Sequence, residues 1–114
     1  MTSTAKTTDD EIFERQAQIC KAFAHPGRLR ILDLLGERER GISELQRELG
    51  VSKTSLSQQI SILKSSGVLS TRRNGKQIYC SLAMPEVKQA CQLIRRVLRA
   101  QIAASHRLGE PLEE

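Results

Sequence analysis

The sequence predicts a mainly α-helical domain that carries one small β-hairpin. Apolar residues recur at spacings of three and four over most of the 114 residues, a pattern typical of helices that turn one face to a core. Between 68 and 82, two short runs flank Asn74-Gly75, a strong sequence signal for a hairpin turn. The core must be aliphatic, because the chain has no Trp, one Tyr and two Phe. We therefore expect a second chain to complete it.

The first two helices are predicted from their boundaries and their apolar positions. Thr8, followed by acidic residues, begins the first helix, which ends before His25-Pro26. Its inward positions are Ile12, Ile19, Ala22 and Phe23. The second helix covers 27–35. Its apolar edge consists of Leu29, Leu32 and Leu35. We expect His25 to cap or pack at the turn between the two helices.

A pair of shorter helices follows. Ser43 is predicted to open the third helix and Gly50 to end it. Ser52 is the expected N-cap of a fourth helix at 52–66, because its hydroxyl can accept a hydrogen bond from a backbone N–H that has no partner within the helix. The inward positions of this helix are Leu56, Ile60 and Leu63. Two helices around a turn with glycine match the helix-turn-helix motif.

The outer face of the fourth helix is polar and carries no carboxylate. Its members are Lys53, Thr54, Ser57, Gln58 and Lys64. Such a face suits contact with phosphates and base edges. A hairpin follows, with a first strand at 68–70 and a return strand at 77–82. The basic residues around its turn are Arg72, Arg73 and Lys76. A helix-turn-helix followed directly by a basic hairpin predicts a winged helix.

The final helix is predicted to begin at Pro85, a residue favoured in the first turn. Its inward positions are Val87, Ala90, Cys91, Ile94, Val97, Leu98 and Ile102. This stripe is too long for so small a domain to cover. Pairing with the same helix and the N-terminal helix of a second copy would bury it in a two-fold interface.

Charge and hydropathy restrict the function classes. The net charge of +5 and a pI near 9.5 imply an anionic partner, and nucleic acid fits better than a membrane surface. No apolar run reaches the roughly 18 residues of a membrane helix, and the N-terminus lacks an apolar secretory segment, so we expect a cytoplasmic protein. The predicted organisation is a flexible tail at 1–8, one domain at 9–105 and a second tail at 106–114.

An enzyme is not expected, because no nucleophile with a base, no Gly-rich phosphate loop and no acid pair stands out. Three cysteines without a Cys-x-x-Cys pair argue against a disulfide framework and a zinc finger. We expect no cofactor, the alternative being arsenite or another soft metal ion that acts as an effector. Because a winged helix can also dock a partner chain, a protein-interaction module is the alternative to DNA binding.

From about 10 to 104 the chain resembles the ArsR/SmtB family of bacterial winged-helix repressors. The resemblance lies in FAHPGRLRILDLL at 23–35, in ISELQRELGVSKTSLSQQISILKSSGVLSTRRNGKQIYCSL at 42–82 and in the final helix. It implies a homodimer that binds an imperfect palindrome in double-stranded DNA and releases it on sensing an effector. Together with the polar helix face and the basic hairpin, it makes the expected DNA-binding residues Ser52, Lys53, Thr54, Ser57, Gln58, Gln59, Lys64, Arg72, Arg73 and Lys76. Gln59 stands where many relatives have His, and Gln can pair bidentately with adenine.

The resemblance also indicates which effector sites this chain lacks. Relatives that sense soft metals often have Cys-x-Cys in the helix before the recognition helix, where this chain has Glu-Leu-Gln-Arg-Glu at 44–48. The zinc ligands of other relatives align with Met84, Glu86, Val97 and Ala100. A third group senses sulfane sulfur or oxidants through one cysteine on the second helix and one on the last. Those two positions align with Asp33 and Arg99, which could form an ion pair instead.

Cys20 and Cys91 are left as candidate sensing residues, because the first and last helices pack together in this fold. One interpretation is a thiol sensor that forms a disulfide or polysulfide or binds arsenite, and Cys80 would have to join for one chain to give arsenite three thiolates. The other interpretation is three buried small hydrophobic residues, which we prefer for Cys80. A repressor without any ligand is the corresponding functional alternative.

Overall fold

The computed structural model describes residues 8–107. Its elements in chain order are α1 (Thr8–Phe23), α2 (Pro26–Glu37), β1 (Arg40–Gly41), α3 (Ile42–Leu49), α4 (Lys53–Ser65), β2 (Leu69–Asn74), β3 (Gln77–Leu82) and α5 (Pro85–Arg107). The predicted mainly α fold with a hairpin is confirmed, and it gains the short strand β1. Residues 1–7 and 108–114 of the two predicted tails lie outside the described residues, whereas Thr8, His106 and Arg107 are helical.

His25 caps α2. Its Nδ1 accepts a hydrogen bond from the backbone N–H of Gly27 at 3.0 Å, and Pro26 is the first residue of the helix. The imidazole thus satisfies an N–H that has no carbonyl partner within the helix, and proline has no N–H to leave unpaired there. The capping role expected of His25 is confirmed, and the helix covers Pro26–Glu37, one residue before and two residues beyond the predicted 27–35.

The helix-turn-helix is formed by α3 and α4. The predicted start of α3 at Ser43 is wrong, because the helix begins at Ile42 directly after β1, with Gly41 at the N-cap. Gly50 ends α3 in the left-handed conformation at a φ of 65° and donates its N–H to the carbonyl of Gln46 at 2.9 Å, a conformation that favours glycine. Ser52 caps α4 as predicted.

The three strands form an antiparallel sheet in the order β1-β3-β2. Asn74 pairs with Gln77, so the central residues of the hairpin turn are Gly75 and Lys76. The predicted turn at Asn74-Gly75 is therefore displaced by one residue. Gly75 adopts a φ of 66°, and glycine at the first central position is typical of a type II′ turn. Because β2 continues to this turn, it exceeds the predicted 68–70.

The core is aliphatic, as predicted. Its fully buried side chains are Ile31, Leu32, Leu45, Leu56, Leu63 and Cys80. They come from α2, α3, α4 and β3, and full burial of one leucine or isoleucine contributes about 1.5–3 kcal/mol. The inner side of α4 is thereby fixed to the rest of the domain, which leaves its outer side available.

A buried arginine joins the end of α2 to α3 and the sheet. Arg40 is 3% exposed, its Nη1 donates to both carboxylate oxygens of Glu48 at 2.6 Å, and its Nη2 donates to Glu37 at 2.8 Å. Its backbone pairs with Cys80 across β1 and β3. A guanidinium buried to this degree needs such partners, because an unpaired buried charge is strongly destabilising.

The long helix α5 is buried along only part of its apolar stripe. Val87 and Cys91 are buried against the domain, whereas four other positions predicted to face inward are exposed in the single chain. These are Ala90, Ile94, Val97 and Leu98. Leu93 of α5 and Ile12 and Phe13 of α1 are also more than half exposed. The two terminal helices therefore carry apolar surface that one chain does not cover. None of the helices between 8 and 107 is both long and apolar enough to cross a membrane.

Candidate nucleic-acid interface

The N-cap of α4 and the burial of its apolar side together leave its outer face exposed. The Oγ of Ser52 accepts a hydrogen bond from the N–H of Ser55 at 3.1 Å, which fixes the first turn. Because Leu56, Ile60 and Leu63 are buried, the opposite side of the helix faces outward. An open groove of about 710 Å³ runs along this side. It is lined by Lys53, Thr54, Ser57, Gln58, Ser61 and Ile62.

This groove brings together four of the residues implied to bind DNA and adds two that the sequence analysis missed. Ser61 and Ile62 follow Ser57 and Gln58 by four residues, so the helical spacing alone could have found them. Lys64 is exposed and lies near Lys53 around the helix axis, eleven residues or about three turns further on. The face thus combines two lysines with hydroxyl and amide groups, which suits phosphate and base contacts.

Gln59 lies elsewhere on α4. It is half-buried, and its Oε1 accepts a hydrogen bond from Nη1 of Arg28 at 3.0 Å. Bidentate pairing with adenine uses both the oxygen and the nitrogen of a Gln amide. Since the oxygen of Gln59 is engaged by α2, Gln58 in the groove is the better-placed amide.

The hairpin holds its three basic residues in different ways. Arg73 and Lys76 are exposed at the tip. Arg72 is bound within the chain, because its Nε and Nη2 donate to the two carboxylate oxygens of Glu39 at 2.8 and 2.7 Å. Its guanidinium also lies 4.6 Å from the centre of the Tyr79 ring, so Tyr79 packs against Arg72 within the hairpin. Glu39 was not among the predicted site residues, because it precedes Arg72 by 33 residues and no local signal in the sequence connects the two.

The ion pair also changes the acidity of its carboxyl group. The hydrogen bonds from Arg72 lower the pKa of Glu39, and desolvation opposes that effect only in part. Glu39 is therefore ionised at neutral pH and occupies the guanidinium fork of Arg72.

The three cysteines lie in three different environments. Cys20 is exposed on α1, whereas Cys80 and Cys91 are buried. Burial raises the pKa of the Cys80 thiol to about 11. Burial also raises the pKa of Cys91, and the charge of Arg95 opposes this. All three are free thiols in the described chain, and the buried two are poor nucleophiles at neutral pH.

Cys91 faces α2. The cavity beside it has a volume of about 200 Å³ and is lined by residues of α2 and α5. Asp33 of α2 and Arg95 of α5 form an ion pair across this contact, with 2.9 Å between Oδ1 and Nη1. The expected ion pair of Asp33 thus exists, but its partner is Arg95 and not Arg99. Between 8 and 107, no three of the His, Cys, Asp and Glu side chains are gathered in a way that could hold a metal ion.

Two helices joined by a tight glycine turn, with a basic hairpin directly after them, define a winged helix-turn-helix domain. Comparison with known proteins agrees. Residues 25–71 match the family described as "Bacterial regulatory protein, arsR family". Rv0081 of Mycobacterium tuberculosis, named an uncharacterised HTH-type transcriptional regulator, is 37% identical over 90 residues, which cover 78% of this chain and 79% of the relative. The biofilm growth-associated repressor of Xylella fastidiosa strain 9a5c is 35% identical over 75% of each chain.

Solved structures give the same result. The crystal structure of Rv0081 superposes with a TM-score of 0.76 at 35% identity and covers 82% of this chain and 94% of that one. The solution structure of the homodimeric winged helix-turn-helix domain of Mb0332 from Mycobacterium bovis has a TM-score of 0.75 at 26% identity and covers 99% of this chain and 100% of that one. The chain belongs to the ArsR family. It is a transcriptional regulator, which confirms the prediction of a regulator and not an enzyme.

Proposed function

We propose that this protein is a homodimeric repressor that binds a palindromic operator in double-stranded DNA through α4 and the β2–β3 hairpin. The observation that carries the proposal is the exposed, carboxylate-free groove of α4, with Arg73 and Lys76 exposed at the hairpin tip. In a dimer the two α4 helices would enter successive major grooves about 34 Å apart.

The proposed contacts divide into two groups. Gln58, Ser57 and Thr54 lie on the open face of α4 and are proposed to reach base edges. Phosphates are the proposed partners of the cap and of the basic side chains, which are Ser52, Lys53, Lys64, Arg72, Arg73 and Lys76. Gln59 is half-buried and bonded to α2, so any role that it has in the interface differs from that of Gln58.

The dimer is proposed from the exposed apolar surface of α1 and α5. Phe13 is 68% exposed, and Ile94 and Val97 are each 56% exposed. Large apolar side chains exposed to this extent on neighbouring turns are typical of a protein interface. A relative of the same fold is described as homodimeric, which supports a two-fold pairing of these helices.

Duplex binding tests the proposal. The full chain is titrated with a fluorescent duplex selected from a random-sequence pool, and with a scrambled duplex, at several salt concentrations. We expect the affinity to fall steeply as salt rises, since each phosphate contact contributes about −0.9 to the slope of log K against log salt. K53A should weaken both duplexes, and R96A, which removes an exposed arginine of α5, is the control. A folded protein that shows no salt-dependent binding would be a protein-interaction module.

We further propose that Cys20 and Cys91 sense the effector, which is a sulfane sulfur species, an oxidant or arsenite. Cys20 is exposed and lies two helical turns from Phe13, on the same side of α1. Across the dimer it could therefore meet the exposed side of α5. Cys91 is buried, so its reaction would require α5 to move away from α2. In this proposal that movement changes the DNA-binding state.

The thiol proposal is tested by adding an organic polysulfide, peroxide or arsenite to the DNA complex and following release together with intact mass. Release with a mass change that disappears in both C20S and C91S would support it. Tight binding that no agent alters would leave a ligand-independent repressor. A mass change that persists in C20S/C91S would assign the chemistry to Cys80 instead.

A further inference from the structure

Arg28, in the first turn of α2, joins three helices through one guanidinium. Its Nε donates to the carbonyl of Ala22 at 2.6 Å, and its Nη2 donates to the carbonyl of Lys21 at 3.0 Å. Its Nη1 donates to Oε1 of Gln59 at 3.0 Å. The first two acceptors belong to the last turn of α1, and the third belongs to the middle of α4. Arg28 and Gln59 are both half-buried.

The geometry of these three hydrogen bonds restricts how α1 and α4 can move relative to each other. The last carbonyls of a helix have no acceptor role within that helix, and a cation at this end interacts favourably with the helix dipole. The guanidinium is planar, so its donors point in fixed directions. A side chain with three donors engaged on two helices therefore fixes the orientation of one helix relative to the other.

An open groove lies between α1 and the second half of α4. It has a volume of about 410 Å³ and is lined by both helices. Its residues are Gln18, Lys21, Ala22, Arg28, Ile62, Ser65 and Ser66. Arg28 lines this open space, and its hydrogen bonds bridge the two helices beside it.

We propose that Arg28 and Gln59 are positioning residues that fix α4 relative to α1 and thereby set the separation of the two α4 helices in the dimer. The inference rests on the proposed function. The exposed apolar side of α1, with Ile12 and Phe13, faces the second protomer in that proposal. Arg28 therefore couples the tilt of α1 at the interface to the position of α4. Gln59 accepts the hydrogen bond of Arg28 on α4 and does not contact a base.

The first test uses duplexes in which the two half-sites are separated by one or two base pairs more or fewer than in the selected operator. Wild type is compared with R28M, Q59M and the double variant. R30M, which removes an exposed arginine of the same helix, is the matched control. We expect Q59M to reduce the preference for the native spacing by roughly fivefold, the effect of losing one hydrogen bond. R28M removes all three hydrogen bonds and should reduce the preference at least as much. The double variant should be no worse than R28M.

Three results would overturn the inference. The first is a wild-type spacing preference in R28M, and the second is fully additive effects of the two substitutions. The third is that Q59M alone loses the preference for a particular base at one position of the operator. The last result would make Gln59 a base reader. Q59M keeps the bonds of Arg28 to α1, so it remains informative if R28M fails to fold, and circular dichroism checks both variants.

A second measurement needs no DNA. A spin label is placed at S57C in a C20S/C91S background, where Cys80 is the only other thiol and is fully buried. Double electron–electron resonance then gives the distance between the two α4 helices of the free protein. We expect a narrow distribution that broadens in Q59M but not in R30M. An unchanged distribution in Q59M, or the absence of any distance between protomers, would overturn the inference whether or not the wild type binds DNA.

Discussion

Arg72 and Lys76 belong to one hairpin, but only Arg72 has an ion-pair partner within the described hairpin contacts. Lys76 is exposed at the turn. Arg72 is bound by Glu39 through two hydrogen bonds and lies over the Tyr79 ring. A phosphate that binds Arg72 must therefore displace a carboxylate or share the guanidinium with it. The positive charge of Arg72 is evident from the sequence, whereas its ion-pair partner Glu39 is evident only from the structure.

We expect E39Q to strengthen binding to all duplexes by about threefold, because it leaves Arg72 available and removes a negative charge near the phosphates. The effect should be modest, since exposed ion pairs are weak in water. The salt slope should steepen by about one, and K76A should flatten it by about one. Fluorescence anisotropy over a range of salt measures both. Weaker binding by E39Q would instead mean that Glu39 holds Arg72 in its binding orientation.

The buried thiol of Cys80 should make stability depend on alkaline pH. Burial raises its pKa from 9.0 to about 11, so the folded state retains a proton that the unfolded state loses. This contribution to stability is fully present below pH 9 and is lost as the pH rises toward about 11. Urea unfolding between pH 8 and 11 should therefore show a decline that C80A lacks. An equal decline in C80A would assign the effect to other groups.

At the scale of elements, most boundaries follow from local signals. Ser52, Pro85 and His25 mark helix starts that the structure confirms, because a cap or a proline acts on its own turn. The strand β1 was not predicted, since its two residues are too few to show the alternation of apolar and polar positions that indicates a strand. Ile94 and Leu98 were assigned inward by spacing, yet a single chain leaves them exposed, because periodicity identifies an apolar face and not what covers it.

The turn between α3 and α4 gives a clean test of backbone conformation. A Cβ added at Gly50 would meet nothing within 4 Å, but its φ is 65°, so G50A should cost about 1 kcal/mol through backbone strain alone. The expected fall in Tm is about 4–8 °C for a domain of this size. G36A is the matched control, because Gly36 lies inside α2 beside the flexible side chain of Lys88. A Tm equal to wild type for G50A would contradict the assigned left-handed conformation.

The candidate site was predictable in composition but not in detail. The polar face of α4 and the basic hairpin tip follow from spacing and charge. The hydrogen bond that engages Gln59 does not, because its donor Arg28 lies 31 residues earlier in the chain. The pairing of Asp33 with Arg95 in place of Arg99 likewise depends on how α5 packs on α2.

For the whole molecule, the uncovered apolar surface decides the state of assembly. With 23 residues, α5 is about 34 Å long, and most of its apolar stripe is exposed in one chain. We expect I94D to shift the protein from dimer to monomer in analytical ultracentrifugation, because a buried, unpaired carboxylate would oppose association. Q89D, on an exposed position of the same helix, should remain dimeric. A dimeric I94D would place the interface elsewhere.

The pairing of Glu39 with Arg72 also bears on how such a regulator finds its operator. A bacterial genome offers millions of competing non-specific sites, and every phosphate contact lengthens the time spent on them. In the proposed DNA complex, an internal carboxylate that competes for Arg72 would shorten each of these visits by a small factor. The operator, which in that proposal also engages the α4 groove, would lose the same factor but keep its base contacts. The chain would thus give up a little affinity everywhere and spend less time on non-specific DNA.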